Sequence, residues 1–249
     1  MAAKLAVRSF FFMASILTQV TLKSKPSPLD VDLAHAALIV VDMQNAFASK
    51  GGMLDIAGVD ISDAARVVRV IVDVVAAARA AALPVVYLQM AYKPDLSNSG
   101  GPESPNWHKE LGLRVMSERM ELRGKLLVEG AWDSAIVDEL TPKSGDLVVT
   151  KTRYSGFART NLDEELRKRG IQYLFFCGIT TNVCVETTLR HAFVLDYWPI
   201  LLRDAAMPAG PPAMHEATVF NVESFFGWTI SAEELVSALA ANPRVVDHV

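Results

Sequence analysis

Five short, unbroken apolar runs, set apart by helix-like segments, restrict the chain to an α/β fold on a parallel sheet. The runs are AALIVVD at 36–42, PVVYLQM at 84–90, DLVVTK at 146–151, YLFFCG at 173–178 and PILLRDA at 199–205. A strand apolar on both sides of its pleat needs cover on both faces, and crossover helices supply it. DAARVVRVIVDVVAAARAAA at 63–82 places Val67, Val70, Ile71, Val74 and Val75 at three- and four-residue steps, behind Ser62 as a candidate N-cap. Helices are also expected over 132–140, over 161–170 with Gly170 as its stop, over 181–197 and over 232–241. The pattern predicts one domain over 30–245. Its class is single-domain three-layer α/β/α, with a mostly parallel, Rossmann-like sheet of five or six strands.

Two segments break the alternation. Residues 91–125 carry Pro94, Gly100, Gly101, Pro102 and Pro105 and read as a long irregular excursion beyond a strand end. Such loops inside a compact domain usually serve function. Residues 1–29 contain no Asp or Glu and read as an N-terminal extension, either disordered or a targeting segment. Its apolar stretch at 10–22 is short and interrupted by polar residues, so no membrane span is expected. KSKPSPLD at 23–30 reads as an extended linker, because Pro26 and Pro28 disfavour regular structure.

A net charge of -4 argues against nucleic acid as a partner, which would need clustered Lys and Arg. The two cysteines, Cys177 and Cys184, are not a disulfide framework. They read as free thiols in a reducing, cytoplasmic setting. The sequence has no Gly-rich phosphate loop and no G-x-S-x-G elbow, and its five histidines show no metal-ligand spacing. No cofactor and no metal are therefore expected.

In open parallel sheets ligands bind beyond the carboxyl ends of the strands. Three strand ends there lead to reactive side chains: Asp42, Lys151, and Cys184 in the segment GITTNVC. Cys184 falls in the first turn of the expected helix, where unpaired N–H groups favour a thiolate and can hold an oxyanion. It is either a nucleophile or a buried structural cysteine. Asp42 is either a base for that thiol or a turn carboxylate. Lys151 either holds Asp42 ionised or lies on the surface. Cys177 sits inside an apolar run and reads as core. His191 reads as packing or surface, and His108 lies in the long loop, where it could meet a substrate.

VVDMQNAF at 40–47, KTRYSGFARTNLDEELRKRG at 151–170 and FCGITTNVCVETTLR at 176–190, in that order, resemble the isochorismatase-like cysteine hydrolases. GGPESPNWHK at 100–109, GKLLVEGAWDSAIVDEL at 124–140 and FNVESFFGW at 220–228 add a likeness to the ureidoacrylate (peroxyureidoacrylate) amidohydrolases of bacterial uracil degradation. The resemblance implies a triad of Asp42, Lys151 and Cys184. It also implies a cis peptide between Ile179 and Thr180, and an oxyanion hole made by the N–H groups of Thr180 and Cys184. It implies no metal, because LQMAYKPDLS stands where nicotinamidases carry an Asp/His motif. It further implies a small ureido or carbamoyl substrate and a homo-oligomer, dimer or tetramer. The expected pocket residues are Gln44, Asn45, Phe47, Tyr92, Trp107, His108, Arg153, Tyr154 and Phe157. Arg153 is the candidate for a substrate carboxylate, because its planar fork suits that group; a surface salt bridge is the alternative. Competing expectations are another carbamoyl amide such as biuret, triuret or an N-carbamoyl amino acid, and a non-catalytic scaffold.

Overall fold

The computed structural model describes residues 18–242. Its strands are β1 (Gln19–Leu22), β2 (Leu29–Asp32), β3 (Ala36–Val41), β4 (Val85–Met90), β5 (Leu147–Lys151), β6 (Tyr173–Ile179), β7 (Trp198–Met207) and β8 (Trp228–Ile230). The last six form one sheet in the order β5-β4-β3-β6-β7-β8, and every neighbouring pair is parallel.

The α-helices of five residues or more are α1 (Ala64–Ala80), α2 (Pro105–Lys109), α3 (Leu111–Glu118), α4 (Leu162–Lys168), α5 (Glu186–Val194), α6 (Pro212–Asn221) and α7 (Ala232–Ala241). Successive strand residues face opposite sides, and the two sides make two cores. Leu38, Val40, Tyr87 and Phe175 pack with Val67, Ile71 and Val74 of α1 and with Leu235 and Leu239 of α7. Ile39, Val41, Leu88 and Phe176 pack with Leu162 and Leu166 of α4 and with Leu189 and Ala192 of α5. These are the three layers, with β3 buried along its whole length.

The chain builds β3, β4 and β5 outward to one side, then returns to lay β6 against the other side of β3. The crevice of such a fold lies where the direction of winding reverses. Here that point is the carboxyl end of the β3/β6 pair.

Several expectations are corrected. The helix expected over 132–140 is two single turns, Trp132–Ser134 and Asp138–Leu140. Buried Asp133 accepts the N–H groups of Met53 at 3.0 Å and Leu127 at 2.8 Å, and Ile136 pairs with Gln44 as a one-residue bridge. These tertiary bonds hold the segment extended between its turns. The excursion at 91–125 is partly helical, because Ser104 caps α2 and Glu110 caps α3. α1 starts after Asp63, whose carboxylate binds Arg66, and Ser62 does not cap it. The helix expected over 181–197 is a wide turn at Thr181–Val185 followed by α5, ending at Val194. β8 and α6 had no sequence signal strong enough to assign.

The N-terminal part differs too. β1 and β2 pair antiparallel, Leu22 and Leu29 are buried, and residues 23–28 are the turn between them rather than a linker. Residues 18–32 are therefore part of the folded unit. Lys25 exchanges two backbone hydrogen bonds of 3.0 Å with Thr229 of β8. The expected targeting or disordered role for the earlier residues lies outside the described residues. No described helix is long and apolar enough to cross a membrane.

Gly178 of β6 pairs with Val41 of β3 and leaves no room there for a side chain. At φ +120° it has a conformation that side chains rarely adopt, and a Cβ there would lie 2.1 Å from Val41 O. Gly178→Ala should therefore cost at least about 2 kcal/mol. Thermal denaturation should show a Tm loss of roughly 4–8 °C.

Candidate active site

Asp42 follows the last residue of β3. Its N–H donates to Leu88 O at 2.9 Å, and it turns the chain at φ +50°. Lys151 ends β5, with β4 standing between the two strands. Its side chain crosses the end of β4, and Nζ donates to Asp42 Oδ2 at 2.7 Å. Nζ also donates to Arg153 O at 3.3 Å and lies 3.8 Å from Met90 Sδ. Both charged side chains are fully buried, at 0% exposure. A buried pair of this kind persists only with close geometry and additional partners.

Cys184 arrives from the other side of the switch point. After β6 and the Ile179–Thr180 peptide, which is cis, residues 181–185 make a wide helical turn. The N–H groups of Val183 and Val185 both donate to Thr180 O, at 3.2 and 3.1 Å, with Cys184 between them. The thiol is 4% exposed and interacts with both Asp42 and Lys151. Asp42 Oδ1 is buried and accepts no hydrogen bond of ordinary geometry. The structure thus brings Asp42, Lys151 and Cys184 together, with one carboxylate oxygen facing no other donor.

The electrostatics correct one expectation. Burial pushes the Cys184 thiol well above its ordinary value, and neighbouring Asp42 adds to this, while Lys151 pulls the other way. The first-turn position does not make this a ready thiolate. Burial also raises the Asp42 carboxyl, against the pull of Lys151. Burial weakens the Lys151 ammonium, but Asp42 and Cys184 outweigh it and leave the charge more firmly held. The Cys184 thiol thus lies against a buried, hydrogen-bonded Asp42–Lys151 pair.

The expected pocket residues divide. Gln44 is fully buried, and its amide is wholly engaged with backbone. Nε2 donates to Met90 O at 2.8 Å and Ser134 O at 2.7 Å, while Oε1 accepts from Met90 N at 2.7 Å. Asn45 Nδ2 donates to Trp132 O at 3.0 Å, and its Oδ1 accepts from Ser49. Phe47 belongs to one core and Phe157 to the other, where it stacks on Tyr197. His108 is exposed and bonded to Pro102 O at 2.7 Å, and Trp107 packs on the core edge. None of these six lines the groove beside Arg153 and Tyr154. Cys177 is core, with Sγ donating to Ile39 O at 3.7 Å, and His191 packs between Ser155 and Phe157.

Tyr92, Arg153 and Tyr154 gather nearer the triad. Tyr154 interacts with Cys184, and its hydroxyl donates to Lys109 O at 3.2 Å. Arg153 Nη1 donates to Thr152 O at 2.6 Å, whereas Nη2 is buried and has no hydrogen-bond partner. Arg153, Tyr154, Lys109, Asn106 and Arg159 line a groove of about 410 Å³. Glu110 lines the same groove and was missed in the sequence. It is 2% exposed, interacts with Tyr92 and Lys151, and accepts the N–H groups of Gly112 at 3.0 Å and Leu113 at 2.9 Å. Glu is not a preferred capping residue, so nothing marked it. Among the described residues, no three His, Cys, Asp or Glu side chains are grouped to hold a metal ion.

Comparison with known proteins is consistent with this arrangement. Residues 36–234 match the isochorismatase domain. The chain is 51% identical over 226 residues to a ureidoacrylate amidohydrolase of Azorhizobium caulinodans, covering 91% of this chain and 100% of that protein. It is 48% identical over 227 residues to the one of Agrobacterium fabrum, with the same coverage. A cysteine hydrolase from Pseudomonas syringae superposes with a TM-score of 0.72 at 28% identity, over 85% of this chain and 95% of that one.

Since burial pushes the Cys184 thiol upward, alkylation by iodoacetamide should be slow at neutral pH. Its rate should still be climbing above pH 9.0, the ordinary thiol value. Mass spectrometry of the labelled peptide measures this, and a plateau reached by pH 7 would contradict it.

Proposed function

The chain belongs to the isochorismatase family, and we propose that it is a metal-independent amidohydrolase that cleaves the ureido C–N bond of ureidoacrylate or its peracid. The supporting observation is the contact of the Cys184 thiol with a buried Asp42–Lys151 pair that has one free carboxylate oxygen. The identity to the two named amidohydrolases over their whole length supports the substrate.

In this reading Asp42 Oδ1 takes the thiol proton as Cys184 Sγ attacks the ureido carbonyl. Lys151 keeps Asp42 ionised until that moment. The N–H groups of Thr180 and Cys184 hold the oxyanion of the tetrahedral adduct. Asp42 then returns the proton to the leaving nitrogen, releasing 3-aminoacrylate and leaving a carbamoyl thioester on Cys184. Water, deprotonated by Asp42, attacks the thioester. Carbamate departs and decays to ammonia and carbon dioxide. The first proton transfer lies between groups already in contact, and the last returns the proton that Asp42 took from water to the departing Cys184 thiolate, which restores the triad.

The groove beside Tyr154 supplies the recognition. Arg153 Nη2, buried without a partner, is the donor for the substrate carboxylate, and Lys109 and Arg159 add positive charge around it. Free buried thiols support a reducing, cytoplasmic location. Exposed Phe193, Phe220 and Phe225 support burial of that face in a homo-oligomer, dimer or tetramer.

Incubation with ureidoacrylate should put a carbamoyl adduct on Cys184, seen by mass spectrometry. Cys184→Ala should lose the adduct and all turnover while keeping its circular dichroism. Faster turnover of biuret than of ureidoacrylate would overturn the substrate.

Arg153→Met should raise KM for ureidoacrylate roughly ten- to hundredfold, the loss of a charged hydrogen bond of about 1.5–3 kcal/mol. Steady-state assays should find KM for neutral biuret unchanged.

A further inference from the structure

The wide turn that carries Cys184 is fastened from behind by the chain that follows β7. Thr181 is fully buried, and its hydroxyl meets His215 Nδ1 at 3.0 Å. Asn182 grips Ala209 from both sides: Nδ2 donates to Ala209 O at 3.0 Å, and Ala209 N donates to Oδ1 at 2.9 Å. His215 stands on the first turns of α6, and its ring also meets the main chain of Arg203 in β7. Its outer side borders a cavity of about 370 Å³, lined among others by Asp63, Arg66, Arg203 and Glu216. No step proposed above uses any of these groups.

We infer that His215 is a positioning residue: a neutral imidazole that accepts the Thr181 hydroxyl proton and sets the Thr180–Cys184 turn in its reactive geometry. Thr181 directly follows the amide proposed to hold the oxyanion, and Cys184 lies one turn further on. A shift of that turn moves nucleophile and oxyanion donor together. Displacements of about 1 Å at such sites cost orders of magnitude in rate. Burial and the nearby Arg66 hold the imidazole below its ordinary value, which keeps Nδ1 free to accept. Neither Thr181 nor His215 lines the substrate groove, so the fastening governs reaction rather than binding.

The inference rests on the hydrolytic reading of Cys184, not on which carbamoyl amide is cleaved. Kinetics should therefore be read as ratios to wild type on whichever amide is turned over. His215→Ala should lower kcat about tenfold and leave KM within twofold. His215→Asn, whose carboxamide oxygen can take the place of Nδ1, should restore most of the loss. Thr181→Val should match His215→Ala, and the double variant should be no worse than either. Unchanged kcat in His215→Ala, equal failure of His215→Asn, or additive losses in the double variant would overturn it. Should His215→Ala not fold, Thr181→Val decides by the same split of kcat from KM. A wild type inactive on every carbamoyl amide would be a failure of the hydrolytic reading alone. The iodoacetamide rate of Cys184 would then serve as the readout: a several-fold change in Thr181→Val supports the fastening, and no change overturns it.

Discussion

The hydrogen bond between Lys151 Nζ and Asp42 Oδ2, 2.7 Å long and closed to water, is the constraint around which the carboxyl end of the sheet is arranged. Its two residues stand on strands that do not touch, so the bond bridges β4 and fixes the height of all three strand ends. Gln44 does the same for β4 with its side-chain amide, which holds both the N–H and the C=O of Met90. Removing one partner of a buried pair leaves a lone charge in a dry interior, at a cost of about 3–5 kcal/mol. The pair therefore has a structural stake as large as any chemical one, and a thiol set against it inherits a rigid neighbour.

The thiol makes the charge balance work. Asp42 and Lys151 carry opposite charges, and a neutral thiol beside them adds none to a region where an uncompensated ion would be expensive. Passing the proton from sulfur to carboxyl keeps that sum at zero. A thiolate waiting permanently beside Asp42 would break it. Burial is the largest cause of both the raised thiol and the raised carboxyl.

Much of this was legible because the residues involved sit where the fold makes position informative. Continuous apolar runs such as AALIVV give buried parallel strands, and the residue just after such a run must lie near the ligand end. Asp42, Lys151 and the segment leading to Cys184 became candidates in that way, and the family resemblance implied that the three form a triad. The features that escaped depended on bonds between distant segments. Trp132–Leu140 has helical spacing, but Asp133 and Ile136 are held by Met53, Leu127 and Gln44. Glu110 caps a helix without being a usual cap. Gln44, Phe47 and Phe157 lie in motifs that surround the triad, yet their side chains are engaged in packing and backbone bonds. A motif places a residue near a site but does not say which way it faces. The thiol's ionisation likewise depended on how deeply it lies, which no local pattern reports.

The short strand β8 would end the sheet with an open row of backbone groups, and Lys25 meets that row through its paired bonds to Thr229. Unsatisfied rims of this kind recruit strands from other molecules and seed aggregation. The β1–β2 hairpin, which adds little to the catalytic end, thus works as a guard against intermolecular growth of the sheet. Cutting the chain back past Lys25 would trade a harmless-looking trim for a sticky border far from the thiol.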